Sequence, residues 1–325
     1  MGSYIYTGAG HKLDHDAARV YIRDGYLLGP RTVLHGRTKH PQFQLPDISI
    51  DLRNPASLVQ QTLEAALGDA AGYRRAIMFS GGFDSMLMVS MAQQIGAKVA
   101  AVIVQFDDFN PRTVAEAIHF ADILEIPHYL IHVKAVEFLS AFEELAEITD
   151  EPILDLDLGV VYAALKKYDI RSAGDVFISG MGCDQWFGNE ALQMAPGGFE
   201  ARLDWARVDQ EAHQRLAEAH GCKIVFPFLS EAMLALSQSL PEAMKKDKKL
   251  LRSLELVNKV QHRGGRNEEQ IPPLMRHIFI KTYGNRAWPG PVSVQRRGSL
   301  EEDQVLRQII LGLWWEKAKA RIAKP

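Results

Sequence analysis

The sequence predicts an α/β fold, a parallel β-sheet with helices on both faces followed by a mainly helical C-terminal part. Two observations carry that expectation. Four short runs rich in branched and aromatic residues read as buried strands: "RRAIMF" at 74–79, "VAAVIVQF" at 99–106, "PHYLIHV" at 127–133 and "DVFIS" at 175–179. Between them lie "DSMLMVSMAQQIG", "PRTVAEAIHFADILEI" and "DLGVVYAALKKYDI", each long enough for a crossover helix, and strand–helix–strand order repeated in this way makes a parallel sheet.

After Gly221 the pattern changes. "KIVFPFLSEAMLALSQSLPEAMKKDKKLLRSLELVNKV" reads as a short extended piece followed by helices, with Pro241 as punctuation. The stretch from Asn267 to Ser299 holds Pro272, Pro273, Pro289 and Pro291 and predicts a loop. "LEEDQVLRQIILGLWWEKAKARIAK" predicts a closing amphipathic helix, whose Trp314 and Trp315 suit packing or, on the sharper reading, a subunit interface such as that of a homodimer. No internal repeat or low-complexity segment is found.

Composition narrows the function. At 325 residues and 47% hydrophobic, the chain can bury a substantial core. A net charge of -3, from 37 basic and 40 acidic residues, gives no bulk attraction to nucleic acid, which makes it an unfavoured partner. Two cysteines, Cys183 and Cys222, are too few for a disulfide framework and suit a reducing compartment, so the cytoplasm is the expected location. No run of 18 apolar residues and no signal-peptide pattern occurs, so no membrane association is expected.

The segment "IMFSGGFDSMLMV" from Ile77 to Val89 breaks a buried strand into a Ser-Gly-Gly turn before a helix. A glycine pair there lets successive backbone N–H groups face one concavity, and the helix N-terminus adds about half a positive charge. Phosphate suits such a site best. It is not a Walker loop, because Asp84 rather than lysine precedes the hydroxyl of Ser85. An acid beside phosphates implies a divalent cation between them.

The motif SGGFDS resembles the SGGxDS loop of the PP-loop ATP pyrophosphatase superfamily, whose members grip the β,γ-pyrophosphate of ATP and release AMP and pyrophosphate. A second stretch, "VFISGMGCDQWFGNE" from Val176 to Glu190, resembles the SGEGADELFGGY motif of the asparagine synthetase domain. "TDEPILDLDLGVVYAALKK", "KIVFPFLSEAMLALSQSLP" and "KKLLRSL" resemble the family's DEP, ARVPFLD and KxxLR segments in order, and the likeness covers most of residues 20–260. It implies a five-stranded sheet of the adenine nucleotide α-hydrolase-like kind. Residues 1–50 would be a lead-in segment and 51–325 the synthetase-like domain, with a nucleotide-binding core near 70–190 and a helical part near 220–325.

By the same resemblance, ATP and Mg²⁺ are the expected cofactors. Asp84 and Asp184 would hold the metal. Ser80, Gly81, Gly82, Asp84 and Ser85, with Ser179 and Gly180, would bind the ATP and its pyrophosphate, and adenine would lie against backbone near Phe79, Val104 and Ser179. Positive charge is needed on the leaving pyrophosphate, and Lys281, Lys249 and Arg252 are the candidates.

Two departures bear on the substrate. Met181 stands where the family has the glutamate of SGEGADE, and a thioether cannot take a proton, so plain aspartate amidation gives way to a bulkier or less polar acyl group. Gln185 replaces a second glutamate, and both residues are assigned to the substrate pocket. Cys183, where a small residue is usual, suits packing. His128 and His132 share a strand face without the third and fourth ligands that a metal site needs, so a structural role is expected.

Position 2 is glycine and a strand begins before residue 80, so no glutaminase domain is expected. Nitrogen would come from ammonia, a separate glutaminase subunit or an amine, and the other partner would be a small-molecule or peptide carboxylate. The expected function is an AMP-forming amide or lactam synthetase. A PP-loop enzyme adenylating an RNA or nucleotide base, and a non-catalytic ATP-binding partner, stay open as alternatives.

Overall fold

The computed structural model describes residues 4–8, 10, 12–24, 27, 29–41, 52–68, 74–107, 111–153, 155–168, 175–188, 198–254, 271–288 and 299–322. Its centre is a parallel sheet of five strands. In chain order these are β1 (Arg74–Met78), β2 (Val99–Phe106), β3 (His128–Val133), β4 (Asp175–Ile178) and β5 (Lys223–Val225). Their spatial order is β3-β2-β1-β4-β5, with every pair parallel. The branched-residue runs thus form the strands expected of them, and the extended piece after Gly221 supplies the fifth.

Side chains alternate between two cores, as a sheet covered on both faces requires. Ile77, Ala101, Ile103 and Ile178 pack on one side with the helices Pro55–Gly68 (α1), Phe83–Gln94 (α2) and Pro111–Ile123 (α3). Ala76, Val102, Phe106 and Phe177 face the other, against Ala135–Ile148 (α4) and Asp157–Lys167 (α5). Helix α6 (Gly198–Ala219) follows β4 and precedes β5. Beyond β5, Glu231–Ser239 (α7) is capped by Ser230, whose hydroxyl accepts from the Met233 N–H.

Residues 4–41 carry two small antiparallel pairs, Tyr4–Thr7 with Thr38–Pro41 and Lys12–Leu13 with Leu34–His35, and the helix His15–Asp24. Leu13, Ala17, Ala18 and Tyr21 join the same core as the C-terminal helix α9 (Ser299–Ile322). Arg37 and Arg215 pair with Asp150 at 2.5 and 2.6 Å, which ties this segment to α6 and to the DEP turn. Trp314 is buried and donates its indole N–H to the Thr149 carbonyl at 3.1 Å, so it packs; Trp315 is part-buried beneath Lys319.

The loop expected over 267–299 is corrected in part. Ile271–Tyr283 forms a helix, α8, with Pro272 and Pro273 in its first turn. Prolines are tolerated there because first-turn N–H groups have no intrahelical partner to lose. Among the described residues no helix is long and apolar enough to cross a membrane.

Candidate active site

A parallel sheet binds ligands outside the carboxyl ends of its strands, where strand order reverses. Here the chain leaves β1 toward β2 and β3 and returns on the other side through β4, so the crevice opens between the ends of β1 and β4. Both glycine turns lie there. A cavity of about 620 Å³ is lined by Ser80, Asp84 and Ser85 of the first turn and by Ser179, Gly180, Met181, Asp184 and Gln185 of the second.

In the first turn Gly81 has φ +71, and a Cβ there would come within 2.9 Å of the Ala117 backbone. Only glycine lets this loop pass so close to α3. The Ser80 hydroxyl accepts from the Gly82 N–H at 3.2 Å, while Ser85 donates to the Gly82 carbonyl at 3.0 Å, so the loop is braced by its own side chains. In the second turn Gly182 has φ +95, and a Cβ would strike Phe228 and Leu229 at 2.9 and 2.8 Å. Ser179 accepts from Met181 N–H and Gln185 from Gly182 N–H, each at 3.1 Å. Gln185 therefore caps the short helix Cys183–Phe187 as well as lining the cavity.

Asp84 and Asp184 converge on one point, and Lys248 stands there. Its ammonium lies 2.7 and 2.9 Å from the two oxygens of Asp84 and 2.8 Å from Asp184. Burial raises the pKa of Asp84 and the charge of Asp184 adds to that rise, against the opposing pull of Lys248. Burial opposes the charge on Lys248, but Cys183, Asp84 and Asp184 together hold its pKa above the ordinary lysine value. The ammonium is thus a stand-in cation, and the carboxylate pair fits a divalent ion that takes its other ligands from phosphates and water. Among the described residues no three His, Cys, Asp or Glu side chains form a metal-binding group.

Lys248, one position before the Lys249 expected from the KxxLR segment, is the lysine that reaches the two aspartates. In KxxLR the lysine falls four places before the arginine, and counting back from Arg252 reaches Lys248, not Lys249. Asp247 and Lys248 both adopt left-handed backbone, φ +56 and +58, and that double turn aims the Lys248 side chain at the carboxylates. Lys249 is exposed and does not line the cavity. Arg252 stacks on Phe83 at 4.6 Å and donates to the Asp247 carbonyl at 3.3 Å, beside the site rather than in it. Lys281 is exposed on α8 and is not in the cavity wall.

Phe79 is buried in the core beneath the loop and donates its backbone N–H to Val102, and Val104 is part-buried against the opposite core; neither side chain lines the cavity. Gly81 and Gly82 form the backbone of the first turn beside it. Cys183 is buried, its thiol is pushed up by that burial, and it hydrogen-bonds Asp84, which makes it a packing residue. His128 sits 3.8 Å from Asp122 and His132 is exposed, both on edge strand β3.

The far wall of the cavity was not foreseen. Asp155 and Asp157 precede and open α5, Asp209 and His213 come from α6, and Met275, Arg276, Asp303, Leu306 and Arg307 come from α8 and α9. Burial raises Asp155 and Asp209, and Asp157 is pushed up to about 7 by desolvation and by Asp155. Burial lowers His213 to about 4, and its Nδ1 bonds the Asp209 backbone carbonyl at 2.8 Å. The ring is therefore neutral, with Nδ1–H donating and Nε2 left as an acceptor.

Residues 58–205 match the family model described as asparagine synthase. No curated protein sequence matches the chain. Among solved structures, an NMN synthetase from Francisella tularensis is similar at 16% identity and a TM-score of 0.30, covering 59% of this chain and 95% of that one. A predicted subunit of tRNA methyltransferase from Methanocaldococcus jannaschii has 15% identity and a TM-score of 0.30 over 51% of this chain and 74% of its own. A U34-tRNA thiolase, NcsA, from Methanococcus maripaludis has 12% identity and a TM-score of 0.42 over 90% and 89%. None of the three is similar enough to say what this chain acts on. Both glycine turns and both aspartates lie inside residues 58–205, the segment that matches the asparagine synthase family.

Proposed function

We propose that the chain is an ATP-dependent, AMP- and pyrophosphate-forming amide-bond synthetase that activates a carboxylate and passes the acyl group to ammonia or an amine. The observation that carries this reading is the meeting of Asp84 and Asp184 on a single cation position between two glycine turns. Mg²⁺ held there would neutralise phosphate charge.

The chain's own groups supply the rest. The turn at Ser80–Gly82 and the N-terminus of α2 would hold pyrophosphate through backbone N–H groups. Lys248, relieved of its two carboxylates when the metal binds, would follow the charge onto the phosphates, in the role expected of Lys281, Lys249 or Arg252. The walls from α5, α6, α8 and α9 enclose the acyl side, orient the nucleophile and limit water. Met181 offers no proton acceptor at this wall, which supports an acyl acceptor other than plain ammonia on aspartate. Nitrogen from a separate glutaminase subunit is compatible with this arrangement.

Carboxylate-dependent exchange of labelled pyrophosphate into ATP tests the proposal. Exchange that requires an added acid and disappears in Asp84→Asn supports it; no exchange with any carboxylate overturns it.

A further inference from the structure

The edges of a sheet expose unpaired N–H and C=O groups, and proteins usually shorten or cover them. Here the edge strand β5 holds three residues and β3 six, and among the described residues no strand pairs with β3 on its outer side. The ladder to β2 fixes which groups face outward. The carbonyls of Pro127 and Val133 accept from Ala101 and Asp107, so odd positions point inward and the even ones, His128, Leu130 and His132, turn N–H and C=O away from the sheet. The Lys167 ammonium donates to the His132 carbonyl from that outer side.

Apolar surface gathers at the same edge. Among the described residues the large apolar side chains left exposed are Ile95, Ile123, Tyr129, Leu130, Val136 and Met244. Four of them, Ile123, Tyr129, Leu130 and Val136, sit on β3 or on the helix ends that lead into and out of it. Such a cluster marks an interaction surface.

Charge is divided along the edge. Exposed Asp122 and Glu125 precede the strand, and exposed Lys134 and Lys167 stand at its far end, where Lys167 is shared with Glu137 at 2.7 Å. A lysine on an edge commonly deters pairing. This one is drawn back to Glu137 and to the end of the strand at His132, and Leu130 at the middle stays 39% exposed.

We infer that β3 is the interface of a homodimer, in which two copies pair their β3 strands antiparallel about a two-fold axis at Leu130 and join their sheets into one. Leu130 then exchanges both backbone bonds with the partner's Leu130, and His128 with the partner's His132, whose carbonyl has a second lone pair for the purpose. Ile131 belongs to the core under α4 and α5, so Leu130 meets its mate on the α3 face and Tyr129 lies across from the partner's Ile131 on the other. The acidic end of each strand comes beside the basic end of its partner. An edge that complements itself in hydrogen bonds, apolar surface and charge selects a second copy over an unrelated strand. The catalytic cavity, between β1 and β4, lies away from this edge.

Sedimentation velocity of the whole chain across micromolar concentrations tests this, and a monomer–dimer equilibrium is expected. Leu130→Lys, which sets two ammonium groups opposite each other at the axis, should raise the dissociation constant at least about tenfold. Glu125→Lys and Lys134→Glu should each raise it about fivefold, and the two together should restore it, since both copies carry the exchange. Measured where both are monomeric, the melting temperature of Leu130→Lys should match wild type, which shows that the variant is folded. A chain monomeric throughout overturns the inference, and so does a dimer that Leu130→Lys leaves unchanged, because its interface would lie elsewhere. A charge exchange that restores nothing overturns the antiparallel pairing.

Discussion

Lys248→Met removes the cation that joins the two turns while keeping the length of the side chain. The wild-type ammonium makes three contacts of 2.7–2.9 Å with Asp84 and Asp184. Side-chain exposures are 14% for Lys248, 25% for Asp84 and 49% for Asp184, so the pair is neither interior nor fully wet. Breaking a fully buried pair costs about 3–5 kcal/mol and an exposed one about 0–1 kcal/mol, which places this change near 2 kcal/mol. At about 2–4 °C per kcal/mol for a chain of this size or slightly smaller, the melting temperature should fall by about 4–8 °C. Millimolar Mg²⁺ at constant ionic strength should restore most of that loss, because the metal no longer competes with an ammonium for the carboxylates. Pyrophosphate exchange should drop about 100- to 1,000-fold, the usual effect of removing one group that stabilises developing charge. Scanning fluorimetry with and without Mg²⁺ reads the first two effects. A variant as stable as wild type and indifferent to Mg²⁺ would refute the convergence of the two aspartates.

Other perturbations separate the parts of the site. Lys249→Ala and Lys281→Ala, both at exposed positions outside the cavity, should leave exchange within a few-fold of wild type, whereas Arg252→Ala should lose about 1 kcal/mol of stability with its stack on Phe83, measured by urea unfolding. Gly182→Ala should cost more than the ~1 kcal/mol of a left-handed alanine, because its Cβ meets Phe228 and Leu229, and a melting curve unchanged from wild type would contradict that packing. His213 has a folded pKa near 4, below its unfolded value near 6.5, so the unfolded chain binds the proton first. Its contribution is complete above pH 6.5 and is lost as pH falls toward 4, by about 3 kcal/mol at the lower end. His213→Asn, whose amide can still donate to the Asp209 carbonyl, should show a flatter dependence of the urea midpoint over that window; equal slopes would remove the buried neutral imidazole.

Much of this was legible in the sequence, for identifiable reasons. The strands announce themselves because both faces of the sheet are covered, which leaves near-continuous apolar runs such as Val99–Phe106. The two turns are legible because their glycines and acids sit at fixed offsets from a strand end. Lys248 was displaced by one position because four lysines crowd 245–249, and the choice among them rests on two left-handed residues that composition does not reveal. The helix Ile271–Tyr283 was hidden by reading two first-turn prolines as a loop. Asp209 and His213 belong to no motif, but they stand four residues apart on the buried face of α6 with Ala206, Leu216 and Ala217. Polar residues at apolar-stripe positions were the available signal.

The product nucleotide tests the central claim most directly. With ATP, Mg²⁺, a competent carboxylate and an amine, phosphorus NMR should show AMP and pyrophosphate appearing in equal amounts and their formation abolished in Asp84→Asn. ADP and inorganic phosphate as the primary products would contradict the account.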